Sequence, residues 1–251
     1  MITETTPAAG AMEAKRPESD NEVWAMFDRI APRYDLLNRL LSFRRDVSWR
    51  KRMAGHVADR TDIDVLDLAT GTGDQILHLI DGGASVKSAL GLDMAEDMLA
   101  LGRSKIMERQ LQDRITLRQG DAADIPCAVA TFDLVTISFG IRNVGAVPEA
   151  LRDMLRVLKS AGRVLILEFS MPTNRIVRPM YLIYLRHILP RVGGLISGDP
   201  EAYSYLNRTI ESFPCGAEFC DLMREAGMVN VESFPLTFGV ATIYKGEKAA
   251  A

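Results

Sequence analysis

Short apolar runs alternate with helical patterns between about residue 64 and residue 169. We predict five strands there, because each run is rich in branched apolar residues and ends at a polar or small residue. Strands that alternate with helices favour a parallel sheet covered by helices on both faces. The predicted strands are residues 64–68, 88–93, 115–119, 132–138 and 163–169.

Two further strands are predicted near the C-terminus, where residues 229–234 and 239–245 form an antiparallel hairpin. The predicted fold class is therefore α/β, with a mostly parallel seven-stranded sheet. Apolar residues at helical spacing predict the helices that cover this sheet. One of these helices carries Ile76, Leu77 and Ile80, and others span residues 95–107, 147–158 and 217–226.

The segments outside this alternation predict how the chain is organised. Residues 1–18 are small and polar and contain proline, which predicts a disordered tail before a single domain over residues 19–251. Within that domain two helical stripes, separated by an interruption at Pro32, predict a helical lid over residues 20–55. Residues 172–214 break the alternation with Pro, Gly and Tyr, and we expect this insertion to cover the substrate side.

A glycine turn after the first predicted strand is the strongest candidate for a binding site. Gly71 and Gly73 stand between that strand and a helix, where backbone N–H groups can approach a ligand closely. Asp93 closes the second strand, and a carboxylate there can accept both hydroxyls of a ribose. We therefore expect a nucleoside-containing cofactor at the carboxyl ends of the first two strands.

The turn departs from a dinucleotide-binding motif, and the departure indicates which cofactor it binds. The motif G-x-G-x-x-G requires a third glycine, where this chain has Ile76. Asp67 and Asp74 flank the turn, and their charges repel a pyrophosphate but attract the amino and sulfonium groups of S-adenosylmethionine (SAM). SAM is the predicted cofactor, and an NAD-dependent oxidoreductase is disfavoured.

Two further strand ends fit the same cofactor. Asp121 and Ala122 follow the third strand, where a carboxylate beside a small residue can contact the adenine amino group and ring face. Ser138 ends the fourth strand and points toward the same crevice. The order of these residues after successive strands supports one continuous cofactor site.

With these residues in place, the chain resembles a known family. Residues 65–74, VLDLATGTGD, and residues 91–94, GLDM, are similar to motifs of the Rossmann-like class I SAM-dependent methyltransferases. Other segments resemble, more narrowly, the C-methyltransferases of menaquinone and ubiquinone biosynthesis; these are residues 26–35, 137–144, 167–170, 189–193 and 235–241. The resemblance runs from Val23 to Gly246. A small departure is KSAG at residues 159–162, where the family usually has KPGG.

The resemblance implies both the cofactor contacts and the reaction. The implied reaction is methyl transfer from SAM to a ring carbon of a 2-polyprenyl quinol, for example demethylmenaquinol to menaquinol. Gly71 and Gly73 are points of close backbone approach. The implied side-chain contacts to the cofactor are Thr70, Asp93, Asp121 with Ala122, and Ser138.

The chemistry of such a transfer suggests the catalytic residues. A ring carbon becomes nucleophilic when the neighbouring hydroxyl loses its proton, and a phenol has a pKa of about 10. We expect Arg142 to stabilise the phenolate and Asn143 to orient the hydroxyl in a dry pocket. Tyr34 and Asp35 are expected to close that pocket from the lid. No metal is expected, because the sulfonium methyl group is already electrophilic.

The overall composition is that of an ordinary globular protein, with 47% hydrophobic residues, 25% charged residues and a formal charge of -3. That charge argues against a general nucleic-acid binder. Three cysteines without a Cys-x-x-Cys pair indicate neither a disulfide framework nor a structural zinc site. Because the first 20 residues contain no apolar core of signal-peptide length, we predict a cytoplasmic protein.

The charge is unevenly distributed, since residues 29–52 carry a net charge of +6 and residues 171–196 carry +4. A polyprenyl quinol lies in the bilayer, so we expect these segments to make peripheral contact with an anionic membrane surface at its inner face. The first set is Arg44, Arg45, Arg50, Lys51 and Arg52 beside Leu40, Leu41, Phe43 and Trp49. The second is residues 180–185 between Arg178 and Arg186.

Other functions on the same fold have weaker support. A small-molecule O-methyltransferase and a non-catalytic SAM-binding subunit of a quinone-synthesis complex stay open as alternatives. A nucleic-acid methyltransferase is disfavoured, because amino-methylating enzymes usually carry Asn/Asp-Pro-Pro-aromatic where residues 138–141 read SFGI. The quinol head group, the length of its tail and the oligomeric state, a homo-oligomer included, are left open.

Overall fold

The computed structural model describes residues 20–197 and 200–250, so the predicted tail over residues 1–18 lies outside the described part. The strands of the described part are β1 (Ile63–Leu68), β2 (Val86–Asp93), β3 (Ile115–Gln119), β4 (Phe132–Ser138), β5 (Leu158–Phe169), β6 (Val229–Leu236) and β7 (Ala241–Glu247). They form one seven-stranded sheet in the order β3-β2-β1-β4-β5-β7-β6. The predicted α/β fold is confirmed.

Strand pairing creates a crevice in the middle of this sheet. Strands β1 to β5 pair in parallel, whereas β7 lies antiparallel to both β5 and β6. The chain leaves β1 toward β2 on one side and later enters β4 on the other side. Because the connections diverge at the β1–β4 boundary, the carboxyl ends of these strands leave an opening for ligands.

The helices of the described part are divided between the sheet and a lid. They are α1 (Asp20–Leu41), α2 (Arg45–Ala54), α3 (Asp74–Asp81), α4 (Glu96–Glu108), α5 (Val147–Val157), α6 (Val177–Ile183), α7 (Leu189–Ser197), α8 (Pro200–Ser212) and α9 (Ala217–Glu225). Buried residues of α2, α3 and α4 pack on one face of the sheet, and those of α5 and α9 on the other. Both faces are therefore covered, as a parallel sheet requires.

The remaining helices form a separate apolar cluster. It joins α1 to the segment 172–214, in which the π-helical turn Tyr184–Ile188 links α6 to α7. Its buried members are Met26, Leu37, Tyr181, Leu185, Leu189, Ala202, Tyr203, Tyr205 and Ile210. The helices of the predicted lid and the predicted insertion thus pack against each other.

The predicted interruption at Pro32 is wrong, because α1 continues from Asp20 to Leu41. A proline inside a helix removes one hydrogen bond and costs about 3 kcal/mol. Packing on both sides of the proline offsets this cost, since Ile30, Ala31 and Leu37 are buried. Local propensity predicted two short helices, and tertiary packing stabilises one long helix.

The fifth strand also differs from its prediction. It begins at Leu158, so residues 159–162 lie within β5, where they form an irregularity in its pairing with β4. Ala161 takes a positive φ of 57° there. An irregularity of this kind depends on the neighbouring strand, which explains why the local pattern predicted a strand that begins only at residue 163.

Gly102 tests how tightly α4 packs on the glycine turn after β1. We expect Gly102→Ala to destabilise the protein by about 1–3 kcal/mol, because the new methyl group would lie 3.0 Å from the carbonyl carbon of Thr72. Gly55→Ala is the matched control, because a methyl group at this position would have no neighbour within 4 Å. We expect this variant to stabilise the protein by about 0.4–1 kcal/mol. Urea unfolding of both variants measures the difference, and equal effects would contradict the packing.

Candidate functional site

A cavity of about 180 Å³ occupies the crevice at the carboxyl ends of β1, β2 and β4, and we call it the polar cavity. The glycine turn forms one wall and the end of β2 another. Its lining includes Gly71, Asp93, Asp121, Ala122 and Ser138. Five of the seven predicted cofactor contacts therefore meet in one place.

The turn after β1 holds this wall in position. Gly71 has a positive φ of 55°, and its N–H donates to Asp93 Oδ2 at 2.7 Å. The N–H of Ala95 donates to Asp93 Oδ1 at 3.0 Å. Burial raises the pKa of Asp93 above its ordinary value, although these N–H groups oppose the rise. The carboxylate is thus fixed at the cavity wall with lone pairs left for a ligand.

The other two predicted contacts lie outside the lining of the polar cavity. The hydroxyl of Thr70 donates to Asp67 at 2.6 Å, which turns it toward the protein interior. Gly73 takes a positive φ of 76° and begins α3. Both residues shape the turn, but neither Thr70 nor Gly73 lines the cavity.

Asp67 is buried beneath the same turn. Its two carboxylate oxygens accept hydrogen bonds from the hydroxyls of Thr70 and Thr136, each at 2.6 Å. Burial raises the pKa of Asp67 to about 6, against the opposing effect of these hydroxyls. Asp67 is absent from the cavity lining, so its charge supports the turn from below rather than flanking a ligand.

A second cavity, of about 420 Å³, lies between the sheet and the lid helices, and we call it the apolar cavity. Tyr34 and Phe139 line both cavities, so the two meet at these rings. Most of its lining is aliphatic or aromatic, a composition typical of sites for apolar ligands. Arg50, which is buried, and Arg142, whose side chain is 6% exposed, also belong to this lining.

Arg142 and Glu168 form a buried ion pair at the edge of the apolar cavity. Arg142 Nη1 donates to Glu168 Oε1 at 2.7 Å and to the carbonyl oxygen of Phe139 at 2.6 Å. The guanidinium lies over the ring of Phe169, 5.4 Å from its centroid. Its Nε is buried without a hydrogen-bond partner among the described residues. Arg142 is thus held in place by two hydrogen bonds from Nη1, while its buried Nε–H has no described acceptor.

Asn143 and Tyr34 also line the site, Asn143 in the polar cavity and Tyr34 at the junction of the two cavities. Asn143 lines the polar cavity, and its Oδ1 accepts a hydrogen bond from the hydroxyl of Tyr205 on α8 at 3.2 Å. Burial raises the pKa of Tyr34 above its ordinary value, which keeps the phenol protonated near neutral pH. The lid therefore contributes a neutral polar ring to the junction of the cavities.

Asp35, which is expected to close the pocket, lies outside the lining of both cavities. Its carboxylate instead accepts hydrogen bonds from Lys105 on α4 and from the hydroxyl of Thr72, the latter at 2.9 Å. Lys105 also donates to Asp74 at 2.7 Å, and Arg39 of α1 pairs with Asp74 at 3.1 Å. Asp35 thus ties the lid helix to the glycine turn. Asp74 is likewise occupied by cations of the protein.

Sequence reasoning missed several polar residues at the site. Arg50 and Trp49 were expected on the surface but are buried, and Arg50 lines the apolar cavity. Ser138 donates to the amide oxygen of Gln75 at 3.0 Å, and Gln75 was not predicted at all. Glu168 was noticed only as part of a family segment. These residues share one sequence feature: each is a charged or polar residue on a helix face or strand that is otherwise buried. Searching the sequence for that feature would have identified them.

The model of the ubiE/COQ5 methyltransferase family matches residues 14–248 of the chain. A ubiquinone/menaquinone biosynthesis C-methyltransferase UbiE from Syntrophotalea carbinolica is 44% identical over 231 residues, which cover 92% of this chain and 95% of that protein. A demethylmenaquinone methyltransferase from Thermus thermophilus is 42% identical over 223 residues, which cover 89% of this chain and all of that protein.

Solved structures agree on the fold. The crystal structure of a SAM-dependent methyltransferase from Thermotoga maritima matches with a TM-score of 0.62, covering 90% of this chain and 99% of that one. Its sequence is only 16% identical, so this likeness concerns the architecture alone.

The raised pKa of Asp67 makes a prediction for stability. The unfolded chain ionises Asp67 near 3.8 and the folded chain near 6, so the folded state binds the extra proton between these values. Stability therefore falls as the pH rises through this window, by about 2–3 kcal/mol. Asp67→Asn stays neutral and should not show this fall.

Urea unfolding of the wild type and Asp67→Asn at several values between pH 4 and pH 7 measures the difference. Asp113→Asn, at an exposed position, is the control and should follow the wild type. A wild-type minus Asp67→Asn difference that stays constant with pH would show that burial does not hold the proton on Asp67.

Proposed function

Because the chain belongs to the ubiE/COQ5 methyltransferase family and is a SAM-dependent C-methyltransferase of quinone biosynthesis, we propose that its two cavities divide the reaction between them. The polar cavity holds SAM, and the apolar cavity holds the ring of a 2-polyprenyl quinol. The observation that carries this proposal is the junction of the two cavities at Tyr34 and Phe139. Methyl donor and acceptor can meet there without leaving the protein.

The residues around the polar cavity fit SAM. Asp93 presents a fixed carboxylate for the ribose hydroxyls, and Asp121 beside Ala122 suits the adenine. The backbone at Gly71 comes close to the cavity with no side chain in between. Bound SAM supplies an electrophilic methyl group on sulfonium. The protein's task is then to position the acceptor and to favour its anion.

Arg142 is the residue that we assign to the acceptor's anion. Its guanidinium carries a permanent charge, lines the apolar cavity and has a buried Nε without a described partner. Glu168 fixes the orientation of the group but leaves that donor available. A cation placed in an apolar cavity stabilises a phenolate more strongly than water does, because the surrounding dielectric is low. Asn143 and the neutral Tyr34 orient the ring at the junction.

Incubation of the protein with SAM and each of two quinol head groups, reduced in situ, tests the reaction. We expect the mass of at least one of the two, the naphthoquinol or the benzoquinol, to increase by one methylene. The product should reoxidise to a quinone, because a C-methylated quinol keeps both hydroxyls whereas an O-methyl ether does not. An ether product would favour an O-methyltransferase, and no product would favour a non-catalytic SAM-binding subunit.

Arg142→Met tests the assigned role. We expect kcat to fall by a factor of about 100–1000, as for the loss of one donor to a developing anion. The SAM dissociation constant should stay within about twofold of wild type. Because the variant leaves phenolate formation to the solvent, its kcat should rise about tenfold per pH unit toward a pH of about 10.

Glu168→Gln combined with Arg142→Met is the matched control, since it removes the unpaired carboxylate that the single variant leaves buried. The double variant should recover stability but not turnover. If Arg142→Met kept the kcat of the wild type, the assigned role of Arg142 in stabilising the phenolate would be contradicted.

We also propose that the protein is cytoplasmic and collects its substrate at the inner face of the membrane. None of the described helices has the length and apolar character to cross a bilayer. Two strained turns beside the apolar cavity expose aromatic rings instead. Phe43 has a φ of 52° and is 78% exposed, and Phe238 has a φ of 58° and is 81% exposed. Strained backbone that exposes a large apolar side chain indicates a function in binding.

The surroundings of these rings fit an anionic bilayer. Helix α2, which follows the turn of Phe43, is joined to the turn of Phe238, since Trp49 Nε1 donates to Thr237 Oγ1 at 2.8 Å. Phe43, Trp49 and Thr237 all line the apolar cavity. Further exposed apolar residues lie on α6 and just before it, namely Ile176, Met180 and Ile183. Exposed cations next to Phe43 and on α2 are Arg44, Arg45, Lys51 and Arg52. Each such cation near an anionic surface contributes about 1 kcal/mol.

Flotation with anionic liposomes tests this surface. We expect the wild type to float at low salt and less at high salt, because exposed charges are screened. Phe43→Ser and Phe238→Ser should each reduce flotation, whereas Met107→Ser, at an exposed position on α4, should not. A wild-type protein that stays with the soluble fraction at low salt would contradict the proposal.

A further inference from the structure

Arg50 is a buried cation without a direct ion-pair partner among the described residues, although its charge acts to lower the pKa of the nearby Asp67 and Asp74. It lies on α2, is 8% exposed, and forms no ion pair with any carboxylate among the described residues. Its one hydrogen bond is long, 3.5 Å from Nη1 to the amide oxygen of Gln75. Its Nε has no hydrogen-bond partner in the described part of the chain. Burying such a charge is costly unless something pairs with it.

The acids nearest to Arg50 are already engaged. Asp67 accepts two hydroxyl hydrogen bonds, and Asp74 pairs with Lys105 and Arg39. Asp46, one turn earlier on α2, accepts the hydroxyl of Ser42. What holds the guanidinium in place is stacking on Phe139, 5.3 Å from the ring centroid. Phe139 is also one of the two rings at which the cavities meet.

A second unsatisfied donor lies beside this guanidinium. Gln75, in the first turn of α3, is 1% exposed, and its Nε2 has no partner among the described residues. Its oxygen is bound by Ser138, which lines the polar cavity. Arg50 and Gln75 thus place two buried N–H donors, one of them charged, beside the glycine turn. Such a pair fits an anionic oxygen, and a carboxylate in particular.

The cofactor site lacks a cation for the anionic end of its ligand. No lysine or arginine among the described residues lines the polar cavity, whereas Asp93 and Asp121 do. SAM carries a carboxylate on its methionine part, at the opposite end from the ribose that Asp93 would bind. Arg142 is held by Glu168 and is assigned to the quinol, so that, of the two arginines whose side chains are described as buried at the cavities, Arg50 is available for this group.

We propose that Arg50, with Gln75, binds the carboxylate of SAM and thereby sets the position of its methionine part. The proposal rests on the SAM site described above but not on the quinol chemistry. It also assigns different anions to the two buried arginines, the carboxylate to Arg50 and the phenolate to Arg142. Arg50 is then one of the residues that bind the methyl donor, although the sequence predicted that its segment lies on the membrane-facing surface.

Isothermal titration with SAM and with decarboxylated SAM, which lacks only the carboxylate, tests the proposal. We expect Arg50→Met to weaken SAM binding by a factor of about 10–100, the usual effect of losing a charge-assisted hydrogen bond. Decarboxylated SAM should bind the variant and the wild type equally. Arg50→Lys should restore part of the SAM affinity, and Gln75→Leu should weaken SAM selectively in the same way.

Thermal unfolding of the ligand-free proteins separates this role from a structural one. Arg50→Met should raise Tm or leave it unchanged, because it removes a buried charge that has no direct ion-pair partner in the described part of the chain, whereas loss of a structural residue lowers Tm. Arg152→Met, at an exposed position on α5, is the matched control and should leave both affinities unchanged.

Two results would overturn the proposal. One is an equal loss of affinity for both ligands in Arg50→Met and Gln75→Leu. The other is unchanged SAM binding together with a raised KM for the quinol, which would assign Arg50 to the substrate. Because titration contains no quinol, a failure of methyl transfer in other assays leaves this measurement interpretable.

Discussion

The whole site depends on one constraint of the parallel sheet, the divergence of the chain at the boundary between β1 and β4. Connections that leave a sheet in opposite directions cannot fill the space above the strand ends, so a crevice forms there. The turn after β1 and the ends of β2 and β4 must then border the same space. The hydrogen bond from the Gly71 N–H to Asp93 joins two of these borders directly. The lid helices only need to cover an opening that the topology has already made.

The buried charged residues around that opening differ in their hydrogen-bond and ion-pair partners, and each difference has a chemical consequence. Burial raises the pKa of Asp67 to about 6, although the two neutral hydroxyls that donate to it oppose the rise. Glu168 is satisfied by Arg142, and the pair fixes a guanidinium at an apolar wall. Arg50 has no counterion in the described part of the chain, so that its charge is left for a ligand. The partners supplied by the fold therefore decide which charges are structural and which are available for binding.

Local patterns predicted the sheet well, because a strand's apolar run reflects its own burial. The bounds of β3 and β4 agree with the sequence residue by residue, and Asp93, Asp121 and Ser138 follow from their places at strand ends. The differences involve contacts between distant segments. Asp35 binds Lys105 on α4, and α1 continues through Pro32 because residues from other helices pack on both halves. Neither contact can be predicted from the local spacing of apolar and polar residues.

The same distinction explains the basic segment of residues 29–52. Its net charge of +6 suggested a single membrane-facing surface, but folding separates its cations. Arg50 turns inward, while Arg44, Arg45, Lys51 and Arg52 stay exposed. Exposed charges act over a distance of about 10 Å at 0.1 M salt, and more salt weakens them. A buried guanidinium is screened far less. Under the proposed membrane contact, delivery of quinol should therefore depend on ionic strength, whereas the proposed binding of SAM by Arg50 should depend on it much less. The two proposals use arginines from one short stretch of sequence.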